Sequence, residues 1–452
     1  MKIIVAGCGR IGSAIVSSLV AEGHDVLAID SNDIALSNIT NVYDVMGVCG
    51  NAADCDVLME AGMKGTDLFI ASTDSDDTNM LCCFMAKKMG AEHTIARIRN
   101  PEYNDRSLNF MRQHLELSLA INPEQLVARE LFRILKFPSA LKIEYFSRRN
   151  LEMIEIKVKD GSALEGLSVS QIRDKFDGKF LVGAVRRGEE VYIPDGSFQL
   201  KLGDSIGVMG SPAEIQKLFK LLGFSRKHAK NVMIFGGNRT SFYLAKMLET
   251  IGNSVKIIEK DEERCQNLAS MLPKTIVISA DGSPQEVLME EGLSNQDAFV
   301  ALSDSDEENV LLSLFASTEN VPKVISKISN EELAGLADQI GLDCVALPNE
   351  ITTNIILRFV RALENSMDSN VETLYKLMDG KAEALEFIVK QDSRVTGKPL
   401  KELDTKQNTL IAGIIRGKKT IIPSGDDVIS VGDHVVLLVA GQRIHDLTDI
   451  VK

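Results

Sequence analysis

The chain of 452 residues repeats itself with a period of about 230, and that duplication limits the folds open to it. The segment Lys2–Asp30 resembles Asn231–Glu259, with Gly7 falling on Gly236 and Arg10 on Arg239. Val57-Leu58-Met59-Glu60 recurs as Val287-Leu288-Met289-Glu290, and DLFIASTDSDDTN at 67–79 recurs as DAFVALSDSDEEN at 297–309, with seven of thirteen positions identical. The match continues through Gly166 and Gly397, Gly183 and Gly413, Pro194 and Pro423, and Gly203-Asp204 and Gly432-Asp433. Solenoid repeats run at ~20–50 residues. This chain therefore reads as one large two-part module, duplicated.

Each module divides again. Its first part alternates strand and helix: IIVAG, a helix over Ser13–Glu22, DVLAID, a third strand near Val45–Cys49, LFIAST and HTIARI. Strands alternating with helices of this length imply βαβ units and a parallel sheet. The second part, about 140–222 and 370–452, carries short strands such as Met153–Val158, Val182–Arg186, Glu190–Ile193 and Ser205–Met209 between Gly and Pro. That pattern predicts a small α+β lobe. Between the parts, Glu124–Lys136 and Glu350–Leu363 place apolar residues at helical spacing. Two readings stay open for them: a core-packing helix, or a crossover helix pairing two lobes or two subunits. The expected architecture is four lobes, at 1–122, 123–225, 229–347 and 348–452, with Ser225–Lys230 joining the copies.

Composition excludes several function classes. The formal charge is 50 − 64 = −14, and basic clusters at Arg148–Arg149, Arg186–Arg187, Arg226–Lys230 and Arg416–Lys419 are short. An electrostatic grip on nucleic acid or anionic lipid is disfavoured. Trp is absent and aromatics are 5%, which argues against stacking on bases as a central device. No apolar stretch approaches the ~20 residues of a membrane helix. The N-terminus is read as a strand and turn rather than a signal peptide. Seven Cys without a C-x-x-C pair suggest buried thiols in a reducing, cytosolic compartment.

The most informative motif is Gly7-Cys8-Gly9-Arg10-Ile11-Gly12, a G-x-G-x-x-G that follows a strand and opens a helix. Gly7 permits the tight turn, Gly9 lets backbone amides approach a pyrophosphate, and Gly12 lets the helix pack closely on the sheet. Phosphates then face the positive end of the helix and its free N–H groups. Asp30 ends the second strand eighteen residues later, where an acid accepts bonds from ribose hydroxyls and disfavours a 2′-phosphate. The expected ligand is NAD(H) or an adenine nucleotide rather than NADP. The second turn reads Gly236-Gly237-Asn238-Arg239-Thr240-Ser241, with Glu259 as its acid. Asn238 would crowd phosphates, so a degenerate or differently selective site and a working one both stay open. Arg10 and Arg239 hold the same place in the two turns despite the cost of a cation at a helix start, which favours phosphate contact. Thr73-Asp74 and Ser303-Asp304 sit where open α/β sheets bind ligands. The acidic run there suggests either a metal or, preferred, a helix capped by Ser75 or Asp76.

Catalytic equipment is missing from the pattern. The six His, at 24, 93, 114, 228, 434 and 445, form no cluster, and His24 and His93 align with Asn253 and Lys323. There is no G-x-x-x-x-G-K-[ST], H-E-x-x-H or G-x-S-x-G motif. A nucleotide-binding fold without an acid/base or nucleophile reads as a sensor.

A glycine-rich βαβ lobe, a linking helix and a small α+β lobe, twice over, resemble the TrkA family, built from tandem RCK (regulator of potassium conductance) modules. The resemblance spans essentially the whole chain and rests on MKIIVAGCGRIG, the GNAAD and DGSP turns, the two D-S-D loops, and Leu181–Arg186 in the C-lobe. It implies two tandem Rossmann-like lobes, each followed by a crossover helix and an RCK C-lobe. It also implies a cytosolic, peripheral regulator that catalyses no reaction, binds NAD(H) and often ATP or ADP, and gates a membrane potassium transporter subunit. No nucleic acid and no direct membrane insertion are expected, and a homotetramer is the implied assembly. Carried over, first-site contacts fall on Gly7, Cys8, Gly9, Arg10 and Ile11, with Asp30 on the ribose, Thr73 and Asp74 near the ligand, and Arg97 reaching toward it. Second-site counterparts are Gly236, Gly237, Asn238, Arg239 and Thr240, with Glu259 on the ribose and Lys327 aligned with Arg97. The competing readings are an NAD-dependent dehydrogenase and a regulator of another cation channel or antiporter.

Overall fold

The computed structural model describes the chain apart from residues 102, 104, 138–139, 147–149, 177, 224–228, 343, 369–370, 379, 418, 443 and 445. Arg148–Arg149, His228, His445 and most of the joining segment Ser225–Lys230 thus lie outside the described residues.

The first N-lobe runs β1 (Lys2–Ala6), α1 (Arg10–Ala21), β2 (Asp25–Asp30), α2 (Asp33–Tyr43), β3 (Met46–Cys49), α3 (Cys55–Glu60), β4 (Leu68–Ala71), α4 (Asp76–Met89), β5 (His93–Arg97), α5 (Asp105–His114), β6 (Leu119–Ile121) and then α6 (Pro123–Lys136). Its six strands are parallel in the order β3-β2-β1-β4-β5-β6. The central strands β1 and β4 are apolar and buried almost throughout, as a sheet covered by helices on both faces requires. The strand order reverses between β1 and β4, which opens a crevice at their carboxyl ends.

The first C-lobe follows, with β7 (Lys142–Phe146), β8 (Leu151–Lys157), α7 (Val169–Phe176), β9 (Phe180–Arg187), β10 (Glu190–Tyr192), β11 (Ser205–Gly210) and α8 (Pro212–Leu221). The second N-lobe comprises β12 (Asn231–Phe235), α9 (Arg239–Thr250), β13 (Ser254–Glu259), α10 (Glu262–Met271), β14 (Ile276–Ser279), α11 (Gln285–Glu290), β15 (Ala298–Ala301), α12 (Asp306–Thr318), β16 (Lys323–Lys327), α13 (Glu331–Gln339), β17 (Val345–Ala346) and α14 (Pro348–Asp368). Its parallel order, β14-β13-β12-β15-β16-β17, repeats that of the first. The second C-lobe adds β18 (Val371–Leu377), β19 (Ala382–Ile388), β20 (Thr409–Arg416), β21 (Lys419–Ile421) and β22 (His434–Ala440).

Both C-lobe sheets are antiparallel, in the orders β10-β9-β11-β8-β7 and β18-β19-β22-β20-β21, which are the same topology. They differ in their helices. In the first, Ser211 caps α8, and Ile215, Leu218 and Phe219 bury one face at helical spacing. In the second, the corresponding segments make only 3-10 turns at Leu400–Glu402 and Leu447–Ile450, the latter closed by an Asp446/Asp449 capping box. The α+β expectation thus fits the first C-lobe better than the second.

Like lobes associate. The contacts divide the chain into one unit of Met1–Phe132 with Asn231–Leu357 and another of Arg133–Lys230 with Arg358–Lys452. Helices α6 and α14 each start in the first unit and end in the second, so the chain crosses between units along both. Within the C-lobe unit, Phe146, Met153 and Met209 share one core with Tyr375, Leu377 and Leu438. The paired glycines of the repeat belong to this junction. A Cβ on Gly183 would stand 2.3 Å from Leu438, and one on Gly413 would stand 2.5 Å from Leu151.

Candidate functional site

Between β1 and α1 the chain reverses within three residues. Gly7 does so at φ +95°, and a Cβ there would lie 2.7 Å from the backbone of Ser72 and Thr73. At Gly12 a Cβ would lie 1.8 Å from the Gly7 carbonyl oxygen, so this glycine serves the turn itself as well as the packing of α1. Gly9 is different. It is the N-cap of α1 in ordinary extended backbone, and a Cβ there would meet nothing within 4 Å. Its missing side chain leaves the N-terminus of α1 without a side-chain cap, with its orphan N–H groups available to an anion.

The acid of this turn is already engaged. Cys8 N–H donates to Asp30 Oδ2 at 2.5 Å and Asn32 N–H donates to Oδ1 at 2.7 Å. Asp30 stays half-buried on the rim of the cleft, where ribose hydroxyls would compete for the same oxygens. Cys8 is 5% exposed with Sγ directed at the Ile29 carbonyl, and burial, with Asp30 beside it, pushes its thiol up to about 12. Neither Cys8 nor Gly12 lines the cleft, whereas Gly7, Gly9, Arg10, Ile11 and Asp30 do.

The loop after β4 is held by Asn79, which is fully buried. Thr73 donates to Asn79 Oδ1 from its N–H (2.8 Å) and its hydroxyl (2.7 Å), and Asn79 Nδ2 donates to the Arg97 carbonyl at 2.9 Å. Ser75 is the residue that caps α4, accepting from Thr78 N–H. Asp76 instead accepts from the N–H groups of Arg99 and Asn100, both at 2.8 Å, and so pins the exit of β5. Among the described residues no group of three or more His, Cys, Asp or Glu is placed to hold a metal.

Arg97 ends β5 inside the cleft. Its Nη1 donates to the Thr73 carbonyl at 3.3 Å and its Nη2 lies 3.6 Å from Glu124 Oε1, at the start of α6. Its Nε and Glu124 Oε2 are buried without a hydrogen-bond partner among the described residues. Burial, then Arg99, lowers the pKa of the guanidinium, and Glu124 offsets this only in part. Burial lowers Lys327 likewise, with Arg10 adding to the effect and Asp304 opposing it. The two cations are under-compensated, a condition that bound phosphate would relieve.

The second turn keeps the scaffold and changes the surface. Gly236 takes φ +91° against Ser303 as Gly7 does against Ser72. Asn238 caps α9: its Oδ1 accepts from Ser241 N–H at 3.2 Å and its Nδ2 donates to the Leu302 carbonyl at 2.5 Å. The Ser241 hydroxyl donates to the Gly236 carbonyl at 2.5 Å. Glu259 is 6% exposed and accepts from Gly237 N–H at 2.6 Å and Asp261 N–H at 2.8 Å.

The two turns open differently. One cleft of about 1830 Å³ is lined from both N-lobes, by Arg10, Asp30, Thr73, Asp74 and Arg97 on one side and Asn238, Arg239, Thr240, Asp304 and Lys327 on the other. Gly236 and Glu259 line instead a separate pocket of about 330 Å³ in the second N-lobe. Gly237 and Asn238 border both. Arg10 and Arg239 are both exposed.

This arrangement has known relatives. The TrkA-N domain family matches residues 3–121 and 232–348, and the TrkA-C domain family matches 153–223 and 384–452. The chain belongs to the TrkA family. It is 30% identical over 453 residues to a Trk system potassium uptake protein TrkA homolog of Archaeoglobus fulgidus, covering all of both chains. It is 31% identical to the Trk system potassium uptake protein TrkA of Haemophilus influenzae, over 98% of this chain and 96% of that one. Among solved structures the fold resembles the GsuK channel (TM-score 0.66, 15% identity, 97% of this chain and 77% of that one). It also resembles the GsuK channel bound to NAD (TM-score 0.64, 15% identity, 97% and 77%). The tandem Rossmann-like and RCK-type lobes expected from sequence are the ones observed.

Two site features of this TrkA family member escaped the sequence. Asn79 and Asn309 end the two D-S-D-x-x-N runs, and their repetition was the available signal. Asn122 Nδ2 donates to Tyr243 Oη at 3.0 Å, and Tyr243 donates to the Arg99 carbonyl at 3.2 Å, joining the two N-lobes beside the cleft. Their repeat counterparts are Leu347 and Ala14, so duplication gave no hint of the link.

Proposed function

We propose that this TrkA family member is the nucleotide-sensing regulatory subunit of a Trk-type potassium uptake system. In this reading it acts at the cytosolic face through a membrane potassium transporter subunit, as a homotetramer. Its ligands are NAD(H) and, in competition, ATP or ADP. The observation that carries this reading is the uncapped N-terminus of α1 opening into a cleft that gathers Arg10, Arg97, Arg239 and Lys327 in a chain of net charge −14. Diphosphate and triphosphate groups satisfy such a cluster through the helix N–H groups and charge-assisted bonds, and Asp30 supplies the ribose contact. The GsuK channel bound to ADP, similar in fold (TM-score 0.51, 13% identity), supports an adenine nucleotide in this lobe type.

Among the described residues lining the cleft there is no His and no Cys, so a hydride-transfer enzyme would lack its usual acid/base. In the favoured reading, nucleotide acts by differential affinity for two arrangements of the N-lobes, and the contacts that differ are at Arg10 and Asp74. Calorimetry with NAD, NADH, ADP and ATP, with Gly9→Asp and Asp30→Ala as controls, tests the ligand. Potassium uptake with Arg10→Ala tests the gating. Saturable binding without loss of NADH absorbance is expected, whereas NADH turnover with a small carbonyl compound would favour the dehydrogenase.

A further inference from the structure

We infer that the chain binds a single nucleotide, in the first N-lobe, because the second glycine turn is filled by the protein's own side chains. This deepens the reading above and rests on it.

Three substitutions across the repeat act together. At the N-cap, Gly9 is replaced by Asn238, whose amide oxygen takes the Ser241 N–H that a phosphate would otherwise receive. Its Nδ2 is anchored on the Leu302 carbonyl, so the side chain is tied across the turn and is not free to swing away. At the second position, Cys8 is replaced by Gly237. A Cβ there would lie 2.9 Å from Cβ and Cγ of Glu259 and 2.8 Å from Leu268. The space that Cys8 fills in the first lobe is therefore taken by the longer acid, which folds back over the turn. Both acids accept a backbone N–H on each oxygen, but Asp30 is half-buried and borders the large cleft, whereas Glu259 is 6% exposed and lines the small pocket.

The third change lies on the helix after the second strand. Ala35 of α2 lines the open cleft, and its repeat counterpart on α10 is Arg264. Arg264 Nη1 stands 3.8 Å from Glu259 Oε2 and 3.9 Å from Asp304 Oδ2, and the side chain lines both the second pocket and the large cleft. The guanidinium is half exposed and these pairs are screened, so it adds bulk beside the pocket while Asn238 and Glu259 are the groups fixed on its wall. The pocket that remains, about 330 Å³, is less than a fifth of the neighbouring cleft of about 1830 Å³. The second N-lobe keeps a ligand role in the shared cleft, which Arg239 of its turn and Lys327 at the end of β16 both line.

The test is calorimetric stoichiometry on the full chain with ADP and NADH. The wild type is expected to bind one nucleotide per chain, and Gly9→Asp is expected to abolish it. That substitution sits in open space and extended backbone, so the lobe tolerates it, and a thermal melt confirms folding. A variant carrying Asn238→Gly, Ser241→Gly, Glu259→Asp and Arg264→Ala takes the first-lobe residues of Gly9, Gly12, Asp30 and Ala35 and is expected to bind two. Two nucleotides on the wild type, or one that survives Gly9→Asp, overturns the inference and leaves the proposed function standing. An opened variant that stays at one overturns the assigned cause of closure. No binding to the wild type at all sinks the proposed function itself.

Discussion

The C-lobe unit and the N-lobe unit treat their duplicated residues differently. In the C-lobes, Arg187 holds Asp204 through two bonds of 2.8 Å and donates to the Gln199 carbonyl at 2.8 Å. Arg416 repeats every bond with Asp433 and the Val428 carbonyl, at 2.8 Å each. The N-lobes repeat their buried frame as closely: Ser303 N–H donates to Asn309 Oδ1 at 2.8 Å and Ser329 N–H donates to Asp306 Oδ2 at 2.8 Å, matching Thr73 with Asn79 and Arg99 with Asp76. Around the two glycine turns the copies have separated, at Gly9 and Asn238, Asp30 and Glu259, and Ala35 and Arg264. Duplication has preserved these framing bonds and let the two glycine turns diverge.

The largest expected effect tests the preserved frame. Asp204 and Asp433 are 1% exposed, and each also accepts a backbone N–H at 2.8 Å, from Lys201 and Ser430. Burial alone would raise the Asp433 carboxyl, but the Arg416 bonds and the Ser430 N–H outweigh it and hold it below its usual value. Asp204→Ala or Asp433→Ala should cost about 3 kcal/mol in denaturant unfolding, since a buried pair is broken while the arginine regains water. Costs differing by more than about 1.5 kcal/mol would break the equivalence of the two C-lobes, given that each lost bond to a charged group is worth about that much.

Next in size are Asn79→Ala and Asn309→Ala. Each removes a fully buried amide that serves an N–H and two carbonyls, at about 2 kcal/mol of stability. The two should be alike in melting and unlike in binding. Asn79→Ala loosens Thr73 and weakens ADP binding in calorimetry, while Asn309→Ala, which touches the cleft through the Lys327 carbonyl, weakens it less.

One C-lobe position breaks the symmetry. Glu383 on β19 lies 3.4 Å from Arg361, whereas Glu152, at the same place on β8, is 2% exposed with Oε1 unpartnered and no ion pair among the described residues. Tyr145 and Gly210 stand opposite it on the flanking strands. Burial pushes its carboxyl up to about 7 from the usual 4.5. The folded chain then holds a proton that the unfolded chain releases between those values, so stability falls as pH rises through about 4.5–7 and levels off above. Glu152→Gln should flatten that slope and raise the melting temperature at pH 8 (read by thermal melts across the range). An unchanged slope would show that the carboxyl is paired or hydrated.

How much of this was legible in the sequence follows from range. The turn at Gly7–Gly12, the parallel sheets and the acid at Asp30 are set by residues close along the chain, and they were readable. The glycines at 183 and 413 were visible as a match but not as a reason, because Leu438 and Leu151 come from the other C-lobe. That like lobes pair, and that Arg239 and Lys327 join Arg97 in one cleft, depends on contacts more than a hundred residues apart. Asn238 stands out in the sequence as a departure from the glycine pattern. That it caps the helix while Glu259 turns inward required the side-chain bonds.

The smallest expected effect is the sharpest probe of that departure. Placing an N-cap side chain on α1 should stabilise the helix, because an asparagine there outranks glycine by a few tenths of a kcal/mol. Gly9 sits in extended backbone with open space beyond its Cα, so Gly9→Asn costs no strain. The same amide would consume the N–H groups that a phosphate needs. Gly9→Asn is therefore expected to raise the melting temperature by about a degree, since ~1 kcal/mol shifts a domain by a few degrees, and to weaken ADP binding at least tenfold. A gain in stability with unchanged affinity would show that the phosphates are held by Arg10 and Arg97 rather than by the helix, and the difference between the two turns would then rest on Glu259.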